Sequence, residues 1–447
     1  MKVKKFSLIS NNKISSFNKS IIVDSDKSIS IRCFLFGSIS ERISRASNIL
    51  ESEDVYSTIN CLKKLGVKIR KQKTKSYLIY GKGLGSLSCV KNSKLNFGNS
   101  GTLARLLIGI LSTTPNIEIK IGGDKSLNKR NMKQLIDLMS DFGAQFYPQK
   151  KYHFPLKIIS SNMPIGLNYE SGVSAQLKSA VILAGLNSYG DTEIIEKYKS
   201  RDHSENLLSK NSQSIKILKG KRKIIKVYGK KFLDPLNVVV PGDPSSAAFF
   251  VALTILNKKS YLKIKNVGLN PTRIGFYDLL KKHNAKIKFE HLRKTNNEVY
   301  GDIIVRSCKI KPIKASEEYY VKATDEYPIM FVLAALTKGT SIFKGIGDLA
   351  NKESNRIKEM QKILKQIGVK SKFSKNQLKI FGKNTHFNKN KKIEVKNLGD
   401  HRIAMSALIL SLVTGIESNI KNFDTVFTSS PSFLKIIKYL GGKFEKY

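Results

Sequence analysis

Six short polar or charged segments, each leading into an apolar run, contain the side chains of this chain that are best suited to bind charged ligands. The segments are residues 27–32, 99–102, 174–176, 243–246, 325–326 and 400–402. Arginines, which are scarcer here than lysines, cluster at such segments, and a planar guanidinium can hold a carboxylate or phosphate through two hydrogen bonds. The chemistry that this pattern predicts is the binding of an anionic ligand.

The apolar runs that follow predict the elements that hold these segments in place. Each run is apolar on nearly every face, which is typical of a buried helix. The unpaired N–H groups and partial positive charge at the start of such a helix attract anions. Six buried helices that begin with polar residues therefore favour one shared focus for the ligand.

A second set of helices, amphipathic and rich in lysine, alternates with the first. Each ends at a Gly or Asn before a short strand, which predicts the left-handed cap that residues with a β-carbon resist. These positions are Gly66, Gly143, Asn211, Asn284, Gly368 and Gly441. Their spacing of about 68 to 84 residues is too long for a solenoid and indicates six compact repeats, each with two helices and several strands.

Length and composition indicate a globular protein of two or more domains. The 447 residues are 41% hydrophobic with a mean hydropathy of −0.23, and the apolar runs are about half the length needed to span a bilayer. The four cysteines and six histidines lack the spacing of a metal site or a disulfide framework. We therefore expect a cytoplasmic protein that binds neither a membrane nor a metal.

The net charge of +45 makes nucleic acid an alternative ligand. However, the lysines are spread over outer helix faces and loops, without an aromatic–basic RNA motif, zinc-finger spacing or a basic zipper. A basic nucleic-acid-binding protein stays as a less favoured alternative. Steep salt-dependent retention on DNA without substrate turnover would support it.

Nine motifs follow one another along the chain in a fixed order. They are residues 27–32, 98–105, 174–176, 200–203, 241–246, 270–273, 325–326, 352–356 and 400–402. Their order is that of the 5-enolpyruvylshikimate-3-phosphate synthase family, which this chain resembles nearly from end to end. The resemblance implies a two-domain α/β enolpyruvyl transferase fold with three βαβαββ repeats in each domain. It also implies that the buried helices point their N-termini at the cleft between the domains.

In the family that this chain resembles, the chain begins in one domain, builds the other and then returns. We therefore expect residues 1–24 and 242–447 to form the first domain and residues 25–241 to form the second. The active site is expected in the cleft between them, and the protein is expected to be a monomer.

The reaction that the resemblance implies is transfer of the enolpyruvyl (carboxyvinyl) group of phosphoenolpyruvate to the 5-hydroxyl of shikimate 3-phosphate. Phosphate is released through a tetrahedral intermediate and no cofactor is needed, in a step of the shikimate pathway to chorismate and the aromatic amino acids. Two unit charges 4 Å apart repel by about 4 kcal/mol at an effective dielectric of 20. The arginines and helix N-termini would supply the positive charge that two such polyanions require.

The resemblance also implies a role for each motif residue. Asp325 is the expected base at the 5-hydroxyl, Glu353 is the expected proton donor to C3, and Lys27 is expected to assist proton transfer. The residues expected to hold shikimate 3-phosphate are Lys27, Ser28, Arg32, Ser174, Gln176, Arg201, Asp325 and Lys352. The residues expected to hold phosphoenolpyruvate are Lys27, Gly101, Arg105, Arg130, Gln176, Arg356 and Arg402.

Simpler structural roles compete with some of these assignments. Taken singly, Ser174 and Asp325 could be helix N-caps, and Glu353 with Arg356 could be a solvated ion pair. The ordered set of motifs favours the functional roles.

The chain departs from the family pattern at several positions. Residues 24–26 are Asp-Ser-Asp where Pro-Gly-Ser is frequent, which places extra acid beside an anion site. Asn131, Ala350 and Asn355 replace a usual Pro, Arg and Asp. Residues 428–431 lack a lysine that many members use to bind phosphoenolpyruvate, so we expect weaker binding of that substrate.

UDP-N-acetylglucosamine enolpyruvyl transferase is the closest alternative, because it shares the fold and the enolpyruvyl donor. That family usually has a reactive Cys, or sometimes Asp, in the loop corresponding to residues 122–130, and this chain has no Cys there. The Asp-His-Arg and Ser-Arg-Asp-His segments favour the shikimate enzyme. Sensitivity to glyphosate stays open, because Gly101 leaves room for that inhibitor whereas Leu106 replaces a frequent Pro.

Overall fold

The computed structural model describes residues 5–220, 222–383, 387–396 and 398–447. The α-helices within these ranges are α1 (Lys27–Ile39), α2 (Glu53–Lys64), α3 (Gly101–Thr113), α4 (Lys125–Asn128), α5 (Lys133–Asp141), α6 (Ala175–Leu186), α7 (His203–Leu207), α8 (Pro244–Leu256), α9 (Gly275–Lys282), α10 (Glu318–Ala323), α11 (Tyr327–Ala335), α12 (Arg356–Gln366), α13 (His401–Thr414) and α14 (Phe433–Tyr439). The 3₁₀ helices are Gly347–Asn351 and Phe423–Thr428.

The apolar runs of the sequence are confirmed as buried helices, namely α1, α3, α6, α8, α11 and α13. Five of these helices begin beside a side chain that accepts a hydrogen bond from a first-turn N–H group. The capping residues are Asp26, Ser100, Ser174, Asp243 and Asp400. Each cap of this kind contributes about 1 kcal/mol, so the polar segments fix where the buried helices start.

The predicted left-handed caps are confirmed at five of the six positions. Their φ values are 82° at Gly66, 91° at Gly143, 70° at Asn284, 80° at Gly368 and 97° at Gly441. The prediction is wrong at Asn211, which is not among the described residues with a positive φ. Asn211 instead accepts a hydrogen bond through Oδ1 from the backbone N–H of Asp234 at 2.8 Å, so this position serves a turn through its side chain.

The described strands are β1 (Leu8–Ser10), β2 (Asn18–Ile22), β3 (Ile43–Ser47), β4 (Lys68–Lys73), β5 (Ser76–Tyr80), β6 (Lys94–Asn96), β7 (Glu118–Gly122), β8 (Gln145–Tyr147), β9 (Leu156–Ile159), β10 (Asn168–Ser171), β11 (Asp191–Glu196), β12 (Ile215–Lys219), β13 (Lys223–Tyr228), β14 (Asn237–Val239), β15 (Tyr261–Gly268), β16 (Ile287–Thr295), β17 (Glu298–Arg306), β18 (Lys314–Ala315), β19 (Gly339–Lys344), β20 (Lys370–Ser374), β21 (Gln377–Gly382), β22 (Lys392–Val395), β23 (Glu417–Ile420) and β24 (Glu445–Lys446).

These strands form six four-stranded sheets in the part of the chain that the structure describes. The strand orders are β6-β7-β9-β8, β10-β11-β13-β12, β14-β3-β5-β4, β2-β15-β17-β16, β18-β19-β21-β20 and β22-β23-β1-β24. In every sheet the first two strands are parallel and the third is antiparallel to the second. A parallel pair needs a crossover connection, and α3, for example, supplies it between β6 and β7. The same topology repeated six times confirms the α/β fold of six repeats.

The described chain divides into two compact units. The first unit contains the described residues up to Asp24 with Pro241–Arg293 and Val299–Tyr447, and the second unit contains Ser25–Val240 with Lys294–Glu298. Each unit has its own apolar core, formed around α8, α11 and α13 in the first unit and around α1, α3 and α6 in the second.

Candidate active site

The first two turns of α1 carry three of the residues expected to bind shikimate 3-phosphate. Lys27 is the first residue of the helix, and its Nζ lies 2.9 Å from Oδ2 of the buried Asp54. Nη1 of Arg32 donates to the carbonyl oxygen of Ser28 at 3.1 Å. The carboxylate of Asp54 therefore holds the ammonium group at a helix N-terminus, where anions are favoured.

Two serines direct the side chain of Arg32. Nε donates to Oγ of Ser204 at 3.0 Å, and Nη2 donates to Oγ of Ser179 at 3.1 Å. Both serines are fully buried. Neither serine was predicted from the sequence, although polar residues inside the otherwise apolar α6 are a signal that could have pointed to Ser179.

Arg105, Arg130 and Gln176 converge on Gly101 at the start of α3. Nη1 of Arg105 donates to Oε1 of Gln176 at 3.0 Å, and Nη2 of Arg130 donates to Oδ1 of Asn99 at 2.8 Å. A Cβ on Gly101 would lie 2.7 Å from Nη1 of Arg130 and 2.8 Å from Nη1 of Arg105. The second unit thus brings together four residues expected to bind phosphoenolpyruvate, two of them cations.

The start of α6 is tied to α3 and carries Ser174. Nε2 of Gln176 donates to Oγ1 of Thr102 at 2.9 Å, while Oγ of Ser174 accepts from the backbone N–H of Leu177 at 3.3 Å. The interpretation of Ser174 as an N-cap is therefore confirmed. The cap uses a lone pair and not the hydroxyl proton, so Ser174 can also donate to an anion.

Arg201 lies in the loop between β11 and α7. The preceding Ser200 donates to Oε1 of Glu196 from its backbone N–H at 3.0 Å and from its hydroxyl at 3.1 Å. The same oxygen of Glu196 lies 2.6 Å from Nζ of the buried Lys178. The loop that carries Arg201 is therefore anchored to a buried charged group.

Arg356 is the centre of a carboxylate cluster in the first unit. It begins α12 and is 1% exposed, with Nε 2.9 Å from Asp400 Oδ2, Nη2 2.6 Å from Glu353 Oε2 and Nη1 3.6 Å from Asp325 Oδ1. Burial would lower the pKa of this guanidinium, but the charges of Asp400, Glu353 and Asp325 outweigh burial and raise it. Because the arginine is buried, its contact with Glu353 is not a solvated surface pair. One cation thus holds the expected base and the expected proton donor close together.

The interpretation of Asp325 as an N-cap is wrong. The N-cap position of α11 is occupied by Glu326, and the described chain has no side-chain capping hydrogen bond there. Asp325 instead faces Arg356 through the 3.6 Å contact.

Arg402 lies in the first turn of α13 and is 4% exposed. Its backbone N–H donates to Oδ1 of Asp400 at 3.0 Å, and its Cζ lies 5.9 Å from the ring centroid of Phe249. Nε and Nη1 of Arg402 are buried and have no hydrogen-bond partner among the residues that the structure describes. Because buried donors without acceptors are costly, a carboxylate or phosphate oxygen would be stabilised at this guanidinium.

Lys352, which precedes Glu353, contacts a different carboxylate. Its Nζ lies 2.6 Å from Oδ2 of Asp348, and the hydroxyl of Tyr320 donates to the same oxygen at 2.7 Å. Burial would raise the pKa of Asp348, but Lys352 and the Tyr320 hydroxyl lower it overall. The ammonium group of Lys352 is therefore fixed by Asp348 and not by the cluster around Arg356.

The described residues include no group of three or more His, Cys, Asp or Glu side chains placed to hold a metal ion. No helix in the described ranges is long and apolar enough to cross a membrane.

Comparisons with known proteins agree on one family. A family model described as EPSP synthase (3-phosphoshikimate 1-carboxyvinyltransferase) matches residues 11–437. A 3-phosphoshikimate 1-carboxyvinyltransferase from Bacillus cytotoxicus is 38% identical over 421 residues, which are 93% of this chain and 96% of that protein. One from Paramagnetospirillum magneticum is 36% identical over 436 residues, which are 95% of each protein.

Solved structures lead to the same family. EPSP synthase from Acinetobacter baumannii has a TM-score of 0.83 and 32% identity, with 99% of each chain covered. The enolpyruvyl transferase NikO from Streptomyces tendae has a TM-score of 0.76 with 99% of each chain covered, but at 13% identity it shows the fold alone. The sequence, the repeated fold and the two groups of cationic side chains therefore place this chain in the EPSP synthase family, the 3-phosphoshikimate 1-carboxyvinyltransferases.

Proposed function

We propose that this chain transfers the enolpyruvyl group of phosphoenolpyruvate to the 5-hydroxyl of shikimate 3-phosphate and releases phosphate, as a step of the shikimate pathway to chorismate and the aromatic amino acids. The observation that carries the assignment of residues is the cluster in which Arg356 contacts both Asp325 and Glu353. It gives a cation for the anionic donor and two carboxyl groups for proton transfer in one place.

In this proposal phosphoenolpyruvate is held by cations from both units. The contributors are Lys27, Gly101, Arg105, Arg130, Gln176, Arg356 and Arg402. The two guanidinium groups beside Gly101 and the two buried donors of Arg402 support it, because phosphate and carboxylate oxygens accept from such groups. Several cations are needed, since two unit charges 4 Å apart repel by about 4 kcal/mol at an effective dielectric of 20.

Shikimate 3-phosphate is held in the same proposal by a mixture of cations and hydroxyl groups. The contributors are Lys27, Ser28, Arg32, Ser174, Gln176, Arg201, Asp325 and Lys352. Two observations support this assignment. The ammonium group of Lys27 is held in place by Asp54, and Ser174 keeps its hydroxyl proton while it caps α6.

The carboxyl groups beside Arg356 perform the proton transfers. Asp325 takes the proton of the 5-hydroxyl as that oxygen attacks C2, and Glu353 gives a proton to the C3 methylene, with Lys27 assisting. The adduct then carries the phosphate on a tetrahedral C2. Glu353 takes a proton back from C3, which restores the double bond while the C2–O bond to phosphate breaks. The proton held by Asp325 passes to the departing phosphate, so both carboxyl groups return to their starting states.

Binding of phosphoenolpyruvate to Arg356 also prepares Glu353 as an acid. In the free protein Glu353 lies 2.6 Å from Nη2 of Arg356, a contact that favours the ionised carboxylate. An anionic substrate on the same guanidinium competes with that contact and so favours protonation of Glu353. The donor substrate thereby promotes the form of Glu353 that addition requires.

We further propose that the two units work as the domains of one cytoplasmic monomer, residues 1–24 with 242–447 and residues 25–241, with both substrates bound in the cleft between them and no cofactor. Residues 1–4 lie outside the described residues. The support is that each substrate has expected ligands in both units. Light scattering should give a mass near 50.1 kDa, and small-angle scattering should report a more compact particle when both ligands are added.

The test of this function is phosphate release from purified protein. It should require both substrates, and Asp325→Asn and Glu353→Gln should each lower kcat by about 10²- to 10⁴-fold. The matched control is Glu359→Gln on α12, because Glu359 forms a surface pair with Lys362 at 2.7 Å. Phosphate release that needs only phosphoenolpyruvate, turnover of UDP-N-acetylglucosamine instead of shikimate 3-phosphate, or full activity of both carboxyl variants would refute the proposal.

The missing lysine of residues 428–431 leaves Arg130, Arg356 and Arg402 as the main cations for phosphoenolpyruvate. We expect a KM for this substrate above that of relatives that carry the lysine, with activity retained. A KM equal to theirs would show that the arginines suffice.

A further inference from the structure

Arg32 is held by hydroxyl groups from two separate helices. Ser179 on α6 accepts from Nη2 at 3.1 Å, and Ser204 on α7 accepts from Nε at 3.0 Å. The two Oγ atoms are 2.8 Å apart, and both serines are fully buried. The guanidinium of Arg32 is thus tied to α6 and α7 as well as to its own helix.

The hydroxyl protons in this group can be placed by counting donors and acceptors. Oγ of Ser179 donates to the carbonyl oxygen of Ala175 at 2.8 Å, which uses its single proton. Ser204 must therefore donate to Ser179, whose two lone pairs then accept from Ser204 and from Arg32. Each of the two hydroxyl protons therefore has one acceptor, and both hydroxyl oxygens accept from the guanidinium, which favours a single orientation of Arg32.

Four charged residues, three of them buried and the fourth 22% exposed, form a cluster that includes the chain neighbours of both serines, Lys178 and Glu205. We name Lys178, Glu196, Glu205 and Lys223 the charge quartet. Nζ of Lys178 lies 2.6 Å from Glu196 Oε1 and 2.8 Å from Glu205 Oε1, and Nζ of Lys223 lies 3.1 Å from Glu196 Oε2 and 3.2 Å from Glu205 Oε1. The quartet joins α6, β11, α7 and β13, the elements that carry or flank Ser179 and Ser204.

Both glutamates of the charge quartet are ionised at neutral pH. Burial would raise the pKa of Glu196 and of Glu205, but Lys178 and Lys223 lower both pKa values below the ordinary value. Buried opposite charges with good geometry fix one arrangement, because breaking the pairs leaves an uncompensated charge. The charge quartet therefore fixes the positions of α6 and α7, which carry the serines that hold Arg32.

We propose that Ser179 and Ser204 are positioning residues for Arg32, and that the charge quartet holds α6 and α7 so that the guanidinium meets shikimate 3-phosphate in one orientation. The inference rests on the proposed function, which assigns Arg32 to that substrate. A long arginine side chain that is already oriented loses less freedom on binding. Loss of both serines should therefore weaken binding of this substrate in particular.

The experiment compares Ser204→Ala, Ser179→Ala/Ser204→Ala and Ser204→Thr in steady-state kinetics. We expect the KM for shikimate 3-phosphate to rise about tenfold in the double variant, which equals about 1.4 kcal/mol, and less in the single variant. The KM for phosphoenolpyruvate should change less than twofold. Ser204→Thr keeps the hydroxyl and should restore most of the wild-type KM.

The matched control is Ser112→Ala on α3. Ser112 is fully buried and donates to the carbonyl oxygen of Ile108 at 2.8 Å, as Ser179 does to Ala175. It should lower the melting temperature about as much as Ser204→Ala, without changing the KM for shikimate 3-phosphate. A purely structural role for the two serines would make the control and the test variants behave alike.

The outcomes separate this inference from the proposed function. The inference alone is overturned if the wild-type protein turns over both substrates and the KM of the double variant for shikimate 3-phosphate stays within twofold of the wild-type value. An equal rise in both KM values, or no rescue by Ser204→Thr, also overturns it. Wild-type protein without turnover and without calorimetric binding of shikimate 3-phosphate overturns both.

Discussion

Arg356→Met should destabilise the first unit as well as abolish use of phosphoenolpyruvate. Methionine keeps an unbranched chain of moderate length but removes the cation that three carboxylates face. Asp400 is affected most, because its side chain is fully buried and loses contacts of 2.9 Å and 3.4 Å to the guanidinium. Removing one partner of a buried ion pair costs about 3–5 kcal/mol, so the free energy of unfolding should fall by about that amount.

The other two carboxylates add less to this loss. The side chains of Glu353 and Asp325 are 21% and 26% exposed, so water can replace part of what the guanidinium supplies. The size of the effect therefore depends on Asp400.

Urea unfolding followed by circular dichroism measures the effect, and a second variant tests its cause. In Arg356→Met/Asp400→Asn the fully buried carboxylate of Asp400 is no longer left without its cation, and the amide oxygen can still accept from the backbone N–H of Arg402 as the carboxylate does at 3.0 Å. We expect at least half of the lost stability to return. Arg306→Met is the control, because this exposed guanidinium lies over Tyr261, and it should change stability by less than about 0.5 kcal/mol. A loss below about 1 kcal/mol in Arg356→Met, or no recovery in the double variant, would refute the reasoning.

Three further changes test other parts of the protein. In Gly101→Ala the new Cβ would lie 2.7 and 2.8 Å from Nη1 of Arg130 and of Arg105, so both guanidinium groups must move by about 0.6 Å. Because displacements of this size weaken binding geometry, the KM for phosphoenolpyruvate should rise about tenfold in steady-state assays. Asp54→Asn frees the ammonium of Lys27, now 2.9 Å from the carboxylate, and should raise the KM values of both substrates. Burial would raise the pKa of Glu205, but Lys178 and Lys223 lower it overall, so its stabilisation is complete above about pH 4.3 and lost as the pH falls through the folded-state pKa. Glu205→Gln should therefore flatten the fall in unfolding free energy between about pH 5 and pH 3, as measured by urea titrations at each pH.

The elements that could be predicted from the sequence are those whose signal is local. A helix that is apolar on all faces has to be buried whatever its neighbours are, and an N-cap such as Ser174 contacts a residue only three positions ahead. Asn211 could not be assigned in this way, because its side chain bonds to Asp234, 23 residues further on. The prediction fails where the role of a residue is set by a distant partner.

The candidate site follows the same rule. The order of the motifs indicates which side chains bind anions, but it does not give their partners inside the protein. Arg356 depends on Asp400, 44 residues away, and Arg32 depends on Ser204, 172 residues away. Such pairs arise from how the buried helices pack, and spacing along the chain does not record that packing.

Two departures from the family pattern meet at one carboxylate of the first unit. Oδ2 of Asp24 accepts from the hydroxyl of Ser430 at 2.9 Å and from the backbone N–H and hydroxyl of Ser432 at 2.9 and 2.7 Å. The extra acid before α1 is therefore engaged by the same C-terminal segment that lacks the lysine. A lysine introduced into residues 428–431 would meet Asp24 close by, and opposite charges within about 4–6 Å attract each other. The two departures thus form one local arrangement, and Asp24 would compete with phosphoenolpyruvate for a cation restored there.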